Sequence, residues 1–276
     1  MVAELSGIVV VPAWLLIRSR RAATRVLLSL EATMSVNAGT AGRVGRLVAA
    51  AAAACAVPVL YARWGRPRLL TWGATADEVS RSYPGDELIP RASGGVFTMA
   101  ATLPAPPEKV WPWLVQMGGD RAGFYSWDRL DHGGKPSADR IVPQWQSLQT
   151  GQRLNAEPAG QNWMTVEVAE PGRTLVLREN FELPSGHSFD PQSGPKSRVY
   201  LDGIWGFYLR PAPGGQTRLV AHTRGRTSRQ PFMAAFSVLL GEPLHFIMQT
   251  RQFHGLRTRV GAGPHRGTPS EGEVPL

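Results

Sequence analysis

The side chains able to do chemistry in this sequence are scattered, and few of them recur at a spacing that a known reaction requires. The six histidines (His132, His187, His222, His245, His254 and His265) form no H-E-x-x-H pair and no zinc-ligand spacing. Glu242-Pro243-Leu244-His245 has the i, i+3 form found in di-iron bundles, but such a centre needs two of these motifs and two more carboxylates. Asp128 with Asp131-His132 reads as a solvated loop before it reads as an acid/base pair. Gly123-Phe124-Tyr125-Ser126-Trp127 lacks the second glycine of a nucleophile elbow, and Ser126 has no base to activate it. No Walker A loop and no G-x-G-x-x-G turn follows a strand. Neither a metal nor a cofactor is therefore expected.

What remains is a set of aromatic and ionisable residues. Trp111, Trp113, Phe124, Tyr125, Trp127, Trp145, Trp163, Trp205, Phe207 and Tyr208 are many for one domain. Aromatic side chains dominate ordinary cores, so about half are assigned to packing. The rest are read as the wall of an apolar cavity for a flat or aliphatic ligand, with a few polar groups to orient it. Tyr125, Trp127, Arg140 and Trp145 fall in loop-rich stretches and are placed at the cavity mouth. The candidate cavity set is Trp113, Phe124, Tyr125, Trp127, Arg140, Trp145, Trp205, Phe207, His222 and Met248. His222 lies on a predicted strand; facing the cavity it would be an acid or base, and otherwise a hydrogen-bonded wall residue.

These residues must be held by elements that the local pattern specifies. Residues 96–103 read as an apolar strand, and Pro106-Pro107 then pre-set a helix start over 108–117. Val110, Trp111, Leu114 and Val115 form its apolar face, Pro112 should bend it, and Gly118-Gly119 ends it. Thr75 and Glu78 have the spacing of a capping box. Residues 163–168 and 174–178 flank the turn Glu170-Pro171-Gly172-Arg173, and 203–209 and 217–223 flank Pro213-Gly214-Gly215, which predicts two hairpins. The stretch 182–198 reads as a long loop. The last helix follows an apolar stretch at 232–240, restarts at Pro243, and is predicted to bury Leu244, Ile247, Met248, Gln252, Leu256 and Val260. Gly261 closes it, and 262–276 is expected to be a disordered tail. This order gives an α+β fold, with one helix packed across a curved antiparallel sheet.

The segment ATLPAPPEKVWPWLVQMGGDRAGFYSWDRL, with the later ADRIVPQWQSLQTGQRL, resembles bacterial members of the SRPBCC (START-like, polyketide cyclase/dehydrase-like) superfamily. WGATADEVSRSYPGDELIP resembles the lead-in those proteins carry before their first strand. The resemblance covers residues 72–260 and implies a helix-grip fold. In that fold the sheet wraps the C-terminal helix and leaves an apolar cavity between them.

Charge divides the chain. Of a net +9, residues 1–70 hold nine arginines against Glu4 and Glu31, while the remainder is near neutral. A basic arm on a near-neutral domain is not the footprint of a nucleic-acid-binding fold, so no nucleic-acid partner is expected. It fits a segment flanking a membrane. Residues 5–17 and 47–62 are uncharged runs of 13 and 16 residues; a span takes about 20, or about 17 at the short end. They are read as one or two membrane helices, with a signal-peptide core or an Ala-rich tether as the alternatives for 47–62. Cys55 is the single cysteine, so no intrachain disulfide forms.

The expected organisation is a basic N-terminal extension (1–70), an SRPBCC-like domain (71–261) and a tail (262–276). Three functions stay open. The first is a membrane-tethered binder or carrier of a hydrophobic small molecule or lipid. The second is a cyclase/dehydratase-like enzyme drawing on Tyr125, Arg140 and His222. The third is an interaction module whose cavity is too small for any ligand. With no nucleophile, metal set or carboxylate pair, the binder ranks first.

Overall fold

The computed structural model describes residues 45–46, 49, 56, 59–93, 95–183, 185–227 and 235–261. The apolar run at 5–17, most of that at 47–62, the stretch 232–234 and the tail at 262–276 lie outside the described residues. Among those described, no helix is long and apolar enough to cross a membrane.

In chain order the elements are α1 (Arg66–Leu70), α2 (Ala76–Ser80), β1 (Phe97–Leu103), α3 (Pro107–Val115) and α4 (Asp128–Asp131). They continue with β2 (Arg153–Asn155), β3 (Trp163–Glu170), β4 (Thr174–Leu183), β5 (Val199–Ala212), β6 (Gln216–Thr227) and α5 (Glu242–Gly261). The strands form one curved antiparallel sheet in the order β1-β6-β5-β4-β3-β2. The fold is thus α+β, with the long helix last.

Short-range chemistry sets several of these elements. Thr75 Oγ1 accepts from the Glu78 N–H at 3.2 Å while Glu78 Oε2 accepts from the Thr75 N–H at 2.8 Å, which closes the capping box of α2. Pro107 opens α3, whose orphan first-turn N–H groups make a proline harmless there, and Val110, Trp113, Leu114 and Val115 are buried from it. Gly214 and Gly215 adopt φ of 73° and 68° in the β5–β6 turn, where a side chain would be strained. Both β5 and β6 run further than their local pattern indicates, pairing as far as Leu201 with Thr227.

Each face of the sheet is covered. On the inner face Met99, Leu175, Leu177, Phe207 and Ala221 pack against Leu114 of α3 and Phe253 and Leu256 of α5. On the outer face Ala100, Val176, Ile204, Tyr208 and Val220 are covered by Tyr83 and Ile89 of the segment that follows α2. Burying each such large apolar side chain contributes about 1.5–3 kcal/mol.

The buried side of α5 differs from the apolar stripe. Leu244 and Ile247 are 48% and 47% exposed, whereas Gln249, Gln252, Phe253, Gly255 and Leu256 are buried. The cause is Gly255. A Cβ there would sit 2.1 Å from the carbonyl oxygen of Tyr125, so the helix can approach the loop this closely only along its glycine side.

Candidate functional site

The inner face of the sheet is filled in rows, and the rows change in bulk along it. One row runs Met99, Ala221, Phe207 and Leu175 across β1, β6, β5 and β4; the next runs Phe97, Thr223, Trp205 and Leu177. The row beyond reads Gly225, Gly203, Glu179 and Met164 across β6, β5, β4 and β3. Two adjacent glycines remove the floor there, and α5 spans the gap. A cavity of about 380 Å³ results, floored by this row and Trp205, roofed by His245, Met248, Gln249 and Gln252, and walled by Phe124 and Asp131.

Its polar groups fall into two sets. In the first, every atom is committed. Trp205 Nε1 donates to Gln249 Oε1 at 3.0 Å, Gln249 Nε2 donates to Gln252 Oε1 at 2.8 Å, and Gln252 Nε2 donates to the Phe124 carbonyl at 3.0 Å. This chain ties floor to roof to wall. Glu242 at the rim accepts from Arg66 Nε and Nη2, each at 2.7 Å, which fastens α1 to α5.

The second set has bonding capacity left. Glu179 has no hydrogen-bond or ion-pair partner for its carboxyl among the described residues, and burial pushes that carboxyl above the usual range. Both carboxylate oxygens of Asp131 are buried without a hydrogen-bond partner among the described residues; burial first, and Asp128 second, raise it to about 6. His245 lies against Phe97 at 4.3 Å, its Nε2 is 3.4 Å from Thr223 Oγ1, and burial lowers it to about 4. It is neutral at pH 7 and able to accept a hydrogen bond.

Of the residues singled out in the sequence, Phe124, Trp205 and Met248 line this cavity. Trp113, Tyr125 and Phe207 are buried in the core beside it. Tyr125 Oη donates to the Trp113 carbonyl and accepts from Gln116 Nε2, both at 2.9 Å, under the Arg259 guanidinium at 4.7 Å. Its φ of 60° is a rare conformation for a non-glycine residue, held by these contacts. Trp127 is 47% exposed with Arg251 over its ring, Arg140 is exposed, and Trp145 packs against the core edge beneath Arg121. His222 lies on the opposite face. Its Nδ1 is 3.0 Å from Thr98 Oγ1, its Nε2 is 3.0 Å from Asp86 Oδ1, and its ring stacks on Tyr83. Alternation along β6 sends Ala221 and Thr223 inward and His222 outward.

None of Tyr125, Arg140 and His222 therefore reaches the cavity; the carboxyls without a partner among the described residues are Glu179 and Asp131, and His245 is bonded through Nε2 alone. Leu175, Leu177 and Glu179 share one parity, so extending strand β4 by one residue in the sequence would have found Glu179. Among the described residues no group of three or more metal-ligating side chains comes together.

No family model and no curated protein matches the chain. Solved structures similar to it include a protein from Mesorhizobium loti (17% identity, TM-score 0.37, covering 60% of this chain and 96% of that one). Others come from Chromobacterium violaceum (16%, 0.36, 61% and 98%) and Helicobacter pylori (13%, 0.41, 65% and 95%). Likenesses this slight carry no inference about what the chain does.

Proposed function

We propose that this protein binds or carries a hydrophobic small molecule or lipid in the hollow over Gly203 and Gly225, and that it does so as a membrane-tethered, SRPBCC-like domain of helix-grip form. The glycine row carries the reading. A folded sheet has no packing reason to place two paired glycines on the floor of its core, since glycine weakens a strand and gives no side chain to bury. The resulting volume of about 380 Å³ lies in the range of small-molecule sites, about 300–1,000 Å³.

The surroundings of the rim support a lipidic source. Ser237 and Gly241 border the cavity, and beside them Leu239, Leu240, Leu244 and Ile247 are 47–60% exposed. The Tyr61 hydroxyl donates to the Val238 carbonyl at 3.4 Å, which brings the helical turn bearing exposed Trp64 alongside. Exposed apolar surface of this kind serves a membrane or protein contact. Arg63 and Arg68 are the cations a lipid surface would attract. An enzyme reading passes from Tyr125, Arg140 and His222 to Glu179 and His245, the groups with free valence in the cavity.

Native mass spectrometry of the purified full chain, with a Gly225→Leu variant beside it, tests the binder. A Cβ on Gly225 meets only the Asp202 carbonyl oxygen at 3.6 Å and Gly203 Cα at 3.8 Å, so the variant fills the hollow without disturbing the sheet. Bound lipophile in the wild type and its loss in the folded variant are the expected result. Retention of the lipophile by the variant, or none in the wild type under any extraction, rejects the reading.

A further inference from the structure

We infer that the ligand carries a positively charged amine, and that this amine seats against Glu179 in the glycine row. The inference rests on the binding reading above and names the chemistry of the ligand's head.

Glu179 is flanked across the sheet by Gly203 and Met164, neither of which offers a side-chain donor. The cations nearest in sequence and register are all engaged elsewhere. Arg178 and Arg226 bind Asp202, Arg224 donates to the Ile89 and Pro90 carbonyls on the outer face, and Arg66 holds Glu242. Asn180 too donates to Asp202. A carboxylate drawn into a cavity without a partner is costly, and the described residues supply none.

The other uncommitted groups are of the same kind. Asp131 adds a second unpartnered carboxylate on the wall, and His245 adds a neutral imidazole on the roof. Of the glutamines that might have donated, Gln252 gives both its N–H groups to the Phe124 carbonyl and Met117 Sδ, and Gln249 gives one to Gln252 Oε1. The cavity thus presents two unpartnered carboxyls and a neutral imidazole, with hydroxyls but no free cation among the described residues. A ligand bearing N–H donors and a positive charge completes it, and a ligand carboxylate or phosphate meets like charge. The bare glycines leave room beside the carboxyl for a head group. Phe97, Phe124, Trp205 and Met248 provide the apolar and aromatic surroundings for the body, and ring faces attract a cation as well.

Calorimetric titration of the full-length protein at pH 7 with decylamine, decanol and decanoic acid decides the matter. These probes share a tail and differ in the head. The amine should bind on the order of tenfold tighter than the alcohol, the gain of one charge-assisted hydrogen bond, and the acid weakest. In Glu179→Gln the amine should fall to the affinity of the alcohol, with the alcohol unchanged. Equal binding of amine and alcohol to the wild type overturns the inference while leaving the apolar cavity standing. An amine preference that survives Glu179→Gln also overturns it. Binding of none of the three overturns both the inference and the reading it rests on. If Glu179→Gln does not fold, the wild-type ranking alone decides.

Discussion

Three consecutive residues of β4 contrast the two faces of the sheet. Arg178 and Asn180 turn outward, where Asp202 accepts from Arg178 Nε at 3.0 Å, from Asn180 Nδ2 at 2.7 Å and from Arg226 Nε at 2.9 Å. Glu179, between them, turns inward and has no side-chain partner among the described residues. The outer face treats its other polar groups likewise. Arg218 grips Glu78 at 2.8 Å and 2.7 Å and holds its carboxyl down to about 2, and His222 is bonded through both ring nitrogens. Polar groups outside are arranged for structure. Inside, Glu179 and Asp131 are left without a partner among the described residues, at a cost in stability that the proposed binding function would account for.

The most severe way to break this comparison is Asp202→Ala. It strands the largely buried Arg178 guanidinium and the Asn180 amide, and losing one partner of a buried ion pair costs about 3–5 kcal/mol. Urea denaturation of the variant should show this loss, with amine or alcohol binding unchanged in the folded fraction. A loss below about 1 kcal/mol, the worth of a surface pair, would mean that the outer network is not structural.

His222→Ala is the intermediate case. Thr98 and Asp86 each lose a buried partner, for about 1–3 kcal/mol. Because the ring lies behind the sheet, lipophile retention in native mass spectrometry should match the wild type. A loss of ligand as complete as that expected for Gly225→Leu would show that the outer face governs the cavity after all.

The same contrast explains what the sequence could reveal. The capping box, the proline-led start of α3 and both hairpin turns are settled within a few residues, so local chemistry suffices to read them. Phe124, Trp205 and Met248 stand out by apolar type alone. The orientation of His222 does not, because both faces of this sheet are covered and β6 is apolar at either parity, Leu219 and Ala221 inward and Val220 outward. Glu179 is hidden differently: it stands one residue past the stretch that the local pattern marks as strand, and only the continued pairing of β4 with Met164 of β3 and Gly203 of β5 places it in the sheet. The buried side of α5 is likewise set at long range, by the contact of Gly255 with Tyr125.

Asp131→Asn is the gentlest probe of the open inner set, and pH makes it specific. A carboxyl raised from 3.8 to about 6 on folding leaves stability intact below pH 4 and erodes it as pH climbs from about 4 to about 6, because the folded chain then holds the proton the unfolded chain has lost. His245 runs in the opposite sense over nearly the same window. Lowered from 6.5 to about 4, it costs the folded state most in acid and nothing above its unfolded value. The wild-type profile therefore mixes two slopes, but His245 is common to both proteins and cancels in their difference. That difference should be near zero at pH 4, grow in favour of Asp131→Asn up to about pH 6, and hold at about 1 kcal/mol above it, the modest end of the cost of an unsatisfied buried group. A difference that does not change with pH would show that Asp131 ionises like an exposed carboxylate, and the inner face would then differ from the outer one by Glu179 alone.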